Sequence, residues 1–263
     1  MTEQIKNTLL NAAHSAAAIL RHFFEGTFEI ESKDTINNLV TEVDKKSEAA
    51  IIHVIRTAYP DHFILSEEVG ELSTESNYKW IIDPIDGTVN FAHGIPICCI
   101  SIGVEKDGIM MMGCVFNPFM NELFFAEKGK GAFLNGKPIR VSKKAELESA
   151  CLVTGFPYRW AKIDTDPIPV FENFIRKGLP VRRLGSAAID LCWVACGRFD
   201  AFWEYNLNPW DIAAGYLIIE EAGGTVTNFK GEPYSVYHKE TLATNGFIHQ
   251  QMLDEIAACE NKN

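Results

Sequence analysis

The sequence predicts an α/β protein with two unlike halves, an α+β N-terminal half and an α/β C-terminal half. Three observations carry this. Residues 3–25 and 42–58 hold apolar side chains at the three- and four-residue steps of helices packed on one face. Residues 97–137 break instead into short apolar runs joined by Asp107-Gly108 and Asn135-Gly136, pairs that favour tight hairpins. From residue 151 onward, strand-like and helix-like runs alternate, the pattern of an α/β layer. The charged segment Lys143-Lys144-Ala145-Glu146 lies between these regions and sets the expected subdomains at 1–145 and 146–263.

At 263 residues the chain has ample material for a buried core. Its 47% hydrophobic and 22% charged make-up is that of an ordinary globular protein. No apolar run approaches the roughly 20 residues that span a bilayer, and no basic segment followed by an apolar one marks a signal peptide. Seven scattered cysteines without Cys-x-x-Cys spacing read as reduced, buried thiols, so a cytoplasmic location is expected. The seven histidines show no ligand-like pairing. A net charge of −11 counts against binding nucleic-acid backbones. It does not count against a small anionic substrate, because divalent cations at a site dominate the local field.

In the first helix, Ile5, Leu9, Ala12, Ala16, Ile19 and Phe23 form one stripe, and Gly26 ends it. Residues 28–38 are polar and aperiodic, which predicts a mobile loop; Lys33, within it, reads as a solvated charge. The second helix opens at Thr41-Glu42-Val43-Asp44, where Asp44 is explained by the helix start alone. Phe63-Ile64-Leu65 is a strand leading to Ser66-Glu67-Glu68, adjacent acids that repel one another near a core unless a cation is present. Trp80-Ile81-Ile82 is another buried strand, and Pro84, with no N–H to donate, is expected to stop the sheet there. In the second half, Ser186 is placed as the N-cap of a helix over 187–196. Asn208 and Pro209 open the helix at 209, with Asp211 in its first turn, where the helix dipole alone would favour it.

The chemistry concentrates at Asp83-Pro84-Ile85-Asp86-Gly87-Thr88-Val89-Asn90-Phe91. Two carboxylates at a strand end, beside the free N–H groups of a helix start at Gly87 and Thr88, suit hard cations together with a phosphate. An Asp-Gly turn is the plainer explanation. Haloacid-dehalogenase-type phosphatases space their two carboxylates two apart, with the first as nucleophile; here the spacing is three.

The stretch resembles the signature of the inositol monophosphatase family of metal-dependent, lithium-sensitive phosphatases. Trp210-Asp211-Ile212-Ala213-Ala214-Gly215 resembles its second signature, and Gly185-Ser186-Ala187-Ala188 a segment whose backbone touches substrate hydroxyls. The resemblance runs from Lys33 to Gly223-Gly224 and implies an αβαβα sandwich of alternating layers, commonly a homodimer. It implies that Glu67, Asp83, the Ile85 carbonyl, Asp86 and Asp211 share two or three Mg²⁺ ions. It further implies that Thr88, oriented by Asp44, acts with Glu67 on the attacking water. Gly87 and Thr88 would hold phosphate, Ala187 and Glu204 would hold substrate hydroxyls, and Lys33 would approach the metal site from its loop. The expected activity is Mg²⁺-dependent hydrolysis of inositol monophosphate without a covalent phosphoenzyme. Alternatives are the same chemistry on fructose 1,6-bisphosphate, histidinol phosphate, NADP or a 3′-phosphonucleotide, or a regulatory binding protein that retains the fold. Tyr205, Asn206 and Asn208 fall where family members differ, which leaves the substrate open.

Overall fold

The computed structural model describes residues 2–24, 26, 28–32, 39–157 and 166–260. Helices α1 (Thr2–Phe23) and α2 (Glu42–Ala58) form where their apolar stripes predict. The Thr41 hydroxyl accepts from the Val43 and Asp44 N–H groups, while the Asp44 carboxylate accepts from the Thr41 N–H, a reciprocal cap that locks the start of α2. The expected loop before it is in part a hairpin, with β1 (Ile30–Ser32) paired antiparallel to β2 (Leu39–Thr41). Three-residue strands are too short to display an alternating pattern, so the sequence hides them. Lys33 lies outside the described residues.

Five layers stack. Helices α1 and α2 bury Leu9, Ala16, Ile51 and Ile55 against one face of an eight-stranded sheet. Its strands are β3 (Phe63–Ser66), β4 (Gly70–Leu72), β5 (Tyr78–Asp86), β6 (Cys99–Lys106), β7 (Ile109–Asn117), β8 (Glu122–Glu127), β9 (Gly131–Leu134) and β10 (Lys137–Pro138), in the order β10-β9-β8-β7-β6-β5-β3-β4. The pair β3–β5 is parallel and its other pairs are antiparallel. Short helix α3 (Thr88–Ala92) follows β5. A second sheet holds β11 (Leu152–Thr154), β12 (Val181–Arg182), β13 (Ala201–Tyr205), β14 (Thr225–Thr227) and β15 (Glu240–Thr244), in the order β12-β11-β13-β15-β14. Helices α4 (Ile168–Arg176) and α7 (His249–Glu260) cover its outer face. Helices α5 (Ala187–Ala195) and α6 (Pro209–Glu221) fill the space between the sheets, so both halves share one core. The result is an αβαβα sandwich, as the resemblance implies.

The expected end of the sheet at Pro84 is overturned. Strand β5 runs through Pro84 to Asp86, and its pairing with β6 slips there: Asp83 faces Ser101, and Asp86 faces Cys99. Three steps on β5 match two on β6, a bulge in which the missing proline N–H costs no ladder bond. The Pro84 carbonyl accepts from the Ser47 hydroxyl of α2 at 2.9 Å. In a regular strand, residues three apart point to opposite faces. Here Ile82 and Ile85 both pack on the α1–α2 side and Ile81 packs on the α5–α6 side. The extra residue therefore lets Asp83 and Asp86 both face the α5–α6 layer.

The spacing of that layer depends on glycine. A Cβ on Gly113 of β7 would come within 2.7 Å of the Ala214 carbonyl oxygen and 2.9 Å of its Cα. Gly113→Ala should therefore push α6 off the sheet and cost about 1–3 kcal/mol, lowering the unfolding midpoint by roughly 2–4 °C per kcal/mol. Differential scanning calorimetry reads this, and an unchanged midpoint would show that the layer yields freely.

Candidate active site

A cavity of about 470 Å³ opens where β3, β5 and β13 end and where α5 and α6 begin. Its first-half wall is Glu67, Asp83, Ile85, Asp86, Gly87 and Thr88; its second-half wall includes Ser186, Ala187, Asp190, Glu204 and Asp211. The sequence-predicted residues within the described range thus come together, with one standing behind the rest. Asp44 does not line the cavity but reaches it through Thr88.

Each side chain is held by its element. Asp83 is 2% exposed, and its Oδ1 accepts from the Ile85 N–H at 3.0 Å across the proline. Asp86 Oδ2 accepts from the Ser186 hydroxyl at 2.6 Å and from the Ala188 N–H at 2.7 Å. Ser186 is the N-cap residue of α5, as expected, but its hydroxyl makes no cap bond. Asp86, from the other half of the chain, takes that place, because a carboxylate is the stronger acceptor for a helix start. Asp211 Oδ2 accepts from the Asn208 N–H at 2.7 Å in the first turn of α6. Thr88 Oγ1 lies 3.0 Å from Asp44 Oδ1 and 3.0 Å from the Ile85 carbonyl oxygen. Gly87 has φ +89°, and a Cβ there would come within 2.9 Å of the Ile97 carbonyl oxygen, so the turn into α3 requires glycine. Strand β13 reaches further than predicted and carries Glu204, whose carboxylate packs on Gly155; a Cβ on Gly155 would approach Glu204 Oε2 to 2.2 Å.

The wall is acidic and poorly solvated. Burial, then the charges of Glu67, Asp86 and Asp211, pushes the Asp83 carboxyl well above its usual range. Burial, then Glu67, raises Asp211 against the Asn208 N–H and the Lys239 cation. Burial, then Asp211 and Asp86, raises Glu204, with Arg183 opposing. Asp86 is raised by burial and held back by its Ser186 and Ala188 donors. Burial lifts Asp44 to about 6, although Thr41 and Thr88 donate to it. Acids that repel one another in a dry wall match a hard cation. Carboxylates plus the Ile85 carbonyl form an all-oxygen set suited to Mg²⁺, whereas the neighbouring Cys99 thiol is pushed well up by burial and stays protonated. Among the described residues, no three His, Cys, Asp or Glu side chains already stand in ligand geometry.

Sequence reasoning missed four residues here. Glu48 of α2, 2% exposed, accepts from the Ser66 hydroxyl and from the N–H groups of Glu68 at 3.1 Å and Val69 at 3.2 Å, which anchors the turn bearing Glu67. Asn90 donates to Ile97 at 2.7 Å and to Leu184 at 2.8 Å, tying the two walls together. Asp190 and Arg183 also line the cavity. An acid on the buried side of a helix was the available signal for Glu48 and Asp190.

The family model described as the inositol monophosphatase family matches residues 1–261. An inositol-1-monophosphatase of Synechocystis sp. is 47% identical over 88% of this chain and 80% of its own length. The Nus factor SuhB of Pseudomonas aeruginosa is 43% identical over 95% of this chain and 94% of its own. The solved inositol monophosphatase from Anabaena superposes with a TM-score of 0.85 at 40% identity, covering 94% of this chain and 93% of that one. A solved IMPase/NADP phosphatase complexed with Mg²⁺ and phosphate superposes with a TM-score of 0.85 at 26% identity, covering 98% and 96%. These superpositions cover nearly the whole chain, so the sandwich described above is the architecture it shares with both structures. The chain belongs to the inositol monophosphatase family, and by that membership it is a phosphoric monoester hydrolase.

Raised acids have a consequence for stability. A folded pKa above the unfolded one means that the metal-free fold gains stability as pH falls from neutral toward the usual carboxylate range, and loses it as pH rises through the raised value. Thermal unfolding in chelator should therefore give a higher midpoint at pH 5.5 than at pH 8. Asp83→Asn should raise the pH 8 midpoint by several degrees, since it removes one of the repelling charges while Oδ1 still accepts from Ile85. A lower midpoint for this variant would show that the acids are already neutralised.

Proposed function

We propose that this enzyme hydrolyses the phosphate monoester of a polyol, inositol monophosphate in particular, with Mg²⁺ and with water as nucleophile. One observation carries the reading: Glu67 after β3, Asp83 and Asp86 on β5, and Asp211 on α6 arrive from three separate elements on one cavity, where they repel one another. Family membership supports it, as does the bound Mg²⁺ and phosphate of the similar IMPase/NADP phosphatase.

In this reading the four acids and the Ile85 carbonyl hold two or three Mg²⁺ ions. Such ions, when bound, supply positive charge that acidifies water and stabilises a phosphoryl group under attack. The chain's own groups do the positioning. Thr88 carries one hydroxyl proton and stands between two acceptors, Asp44 and the Ile85 carbonyl. With that proton directed to Asp44, its lone pairs face the cavity and accept from a water beside Glu67. Asp44 is fixed in turn by the Thr41 N–H at 2.8 Å and hydroxyl at 2.6 Å, so the relay cannot swing. The Gly87 and Thr88 N–H groups steady the phosphate. Glu204 and the Ala187 backbone receive the hydroxyls of the alcohol. The seven cysteines are free, in keeping with a reducing, cytoplasmic setting, and the reading includes a homodimer.

A second reading, a regulatory role through a protein partner, is favoured by the SuhB relative named a Nus factor. The full acid set weighs toward catalysis, and the −11 charge weighs against direct nucleic-acid contact.

With inositol 1-phosphate and Mg²⁺, the wild type should release phosphate and Asp83→Asn should not, while circular dichroism shows that the variant is folded. Wild-type-like turnover in Asp83→Asn would sink the assignment. Thr88→Ala should lower kcat by about 10²–10⁴, and Thr88→Ser should restore most of it. Because Asp44 must be ionised to take the Thr88 proton and ionises near 6, kcat should fall as pH drops below that value. A profile flat from pH 5 to 8 would remove Asp44 from the relay.

A further inference from the structure

Asp190 has no task in the chemistry above. It sits in the first turn of α5, 1% exposed, lining the cavity, and its buried Oδ1 has no hydrogen-bond partner among the described residues. A first-turn acid is favoured by the helix dipole, but that advantage does not require burying an unpaired acceptor, which carries a penalty of its own. The N-terminal Ala188 N–H of α5 is already served by Asp86.

The surroundings say what would pair with it. Glu204 stands on the same wall, held in the space left by the missing side chain of Gly155. Arg183 lines the cavity too, its guanidinium 5.9 Å from the Phe156 ring centre, and its charge acts on both acids. Two carboxyl groups and one guanidinium suit neither a bare cation nor a second phosphate. Hydroxyl groups fit, because each can donate to a carboxyl oxygen and accept from a guanidinium N–H.

We propose that Asp190 and Glu204 form a paired hydroxyl subsite, in which Asp190 Oδ1 accepts from a hydroxyl next to the one held by Glu204. The enzyme then selects phosphate esters whose alcohol bears two neighbouring hydroxyls at that distance from the phosphate. This rests on the polyol-phosphatase reading and deepens it: Asp190 is a specificity residue that touches the alcohol and leaves the phosphate to the other wall.

The test is steady-state kinetics of the full chain with Mg²⁺ on inositol 1-phosphate, its single-deoxy analogues and p-nitrophenyl phosphate. Asp190→Ala should raise KM for inositol 1-phosphate roughly tenfold, the loss expected for one buried hydrogen bond. That rise should be several times larger than the one for p-nitrophenyl phosphate, and Asp190→Asn, which keeps an Oδ1 acceptor, should recover most of it. Asp190→Ala should also become indifferent to the loss of one particular hydroxyl that the wild type requires. Equal KM shifts on both substrates, no shift on the polyol ester, or no recovery in Asp190→Asn would each overturn the subsite. Should Asp190→Ala not fold, the wild type and Glu204→Gln decide. Two neighbouring hydroxyl positions must each matter in the wild type, and Glu204→Gln must abolish the dependence on one of them. Dependence on a single hydroxyl overturns the proposal. A wild type that hydrolyses p-nitrophenyl phosphate but no polyol phosphate sinks the underlying reading instead, and one that hydrolyses inositol 1-phosphate while the variants fail these tests sinks the subsite alone.

Discussion

A one-residue slip between β5 and β6 governs how the site is built. Side chains on a strand alternate between faces, so Asp83 and Asp86 in regular pairing would point into different layers, one toward α1–α2 and the other toward α5–α6. The bulge at Pro84 removes that conflict. It also settles Ile85, whose side chain joins the α1–α2 core while its carbonyl stays beside the acids and within reach of Thr88. The proline that looks like a strand breaker is tolerated because the slip leaves no bond for its nitrogen to make.

The second constraint is electrostatic. Buried acids in one wall oppose folding unless other groups take up their charge, and the fold supplies partial compensation from backbone dipoles. The start of α5 donates to Asp86, and the start of α6 donates to Asp211. Lys239 and Arg183 add distant positive charge. None of this offsets their burial or cancels the repulsion among Glu67, Asp83 and Asp211, which is why the acids remain raised and why the cavity suits a hard cation. The same contacts join the halves of the chain, since Asp86 reaches α5 and Asn90 reaches Leu184. The groups that define the site are therefore also fastenings of the fold.

Much was legible in the sequence because the periodic signals are local. The stripe of Ile5, Leu9, Ala12 and Ala16 places α1 without reference to the rest of the chain, and Thr41 with Asp44 states where α2 starts. Hairpins at Asp107-Gly108 and Asn135-Gly136 are dictated by residues that accept positive φ. Elements of three residues, such as β1, β2 and β4, carry no readable period and escaped. So did Glu48 and Asp190, because a place on the buried side of a helix marks an acid as unusual without saying what it meets.

By itself, then, the sequence determined which residue types were present for the chemistry and the local element on which each one sits: acids at strand ends and helix starts, a Thr after an Asp-Gly pair, small residues at the opening of α5. Only the tertiary structure decided which of them share a wall. The bulge reversed the parity of Asp86, Asp86 took over the cap expected of Ser186, and α5 brought Asp190 onto the cavity that Glu204 lines. Local pattern follows from the chain's own covalent neighbours, whereas facing, register and charge crowding arise only when distant segments exclude water from one another.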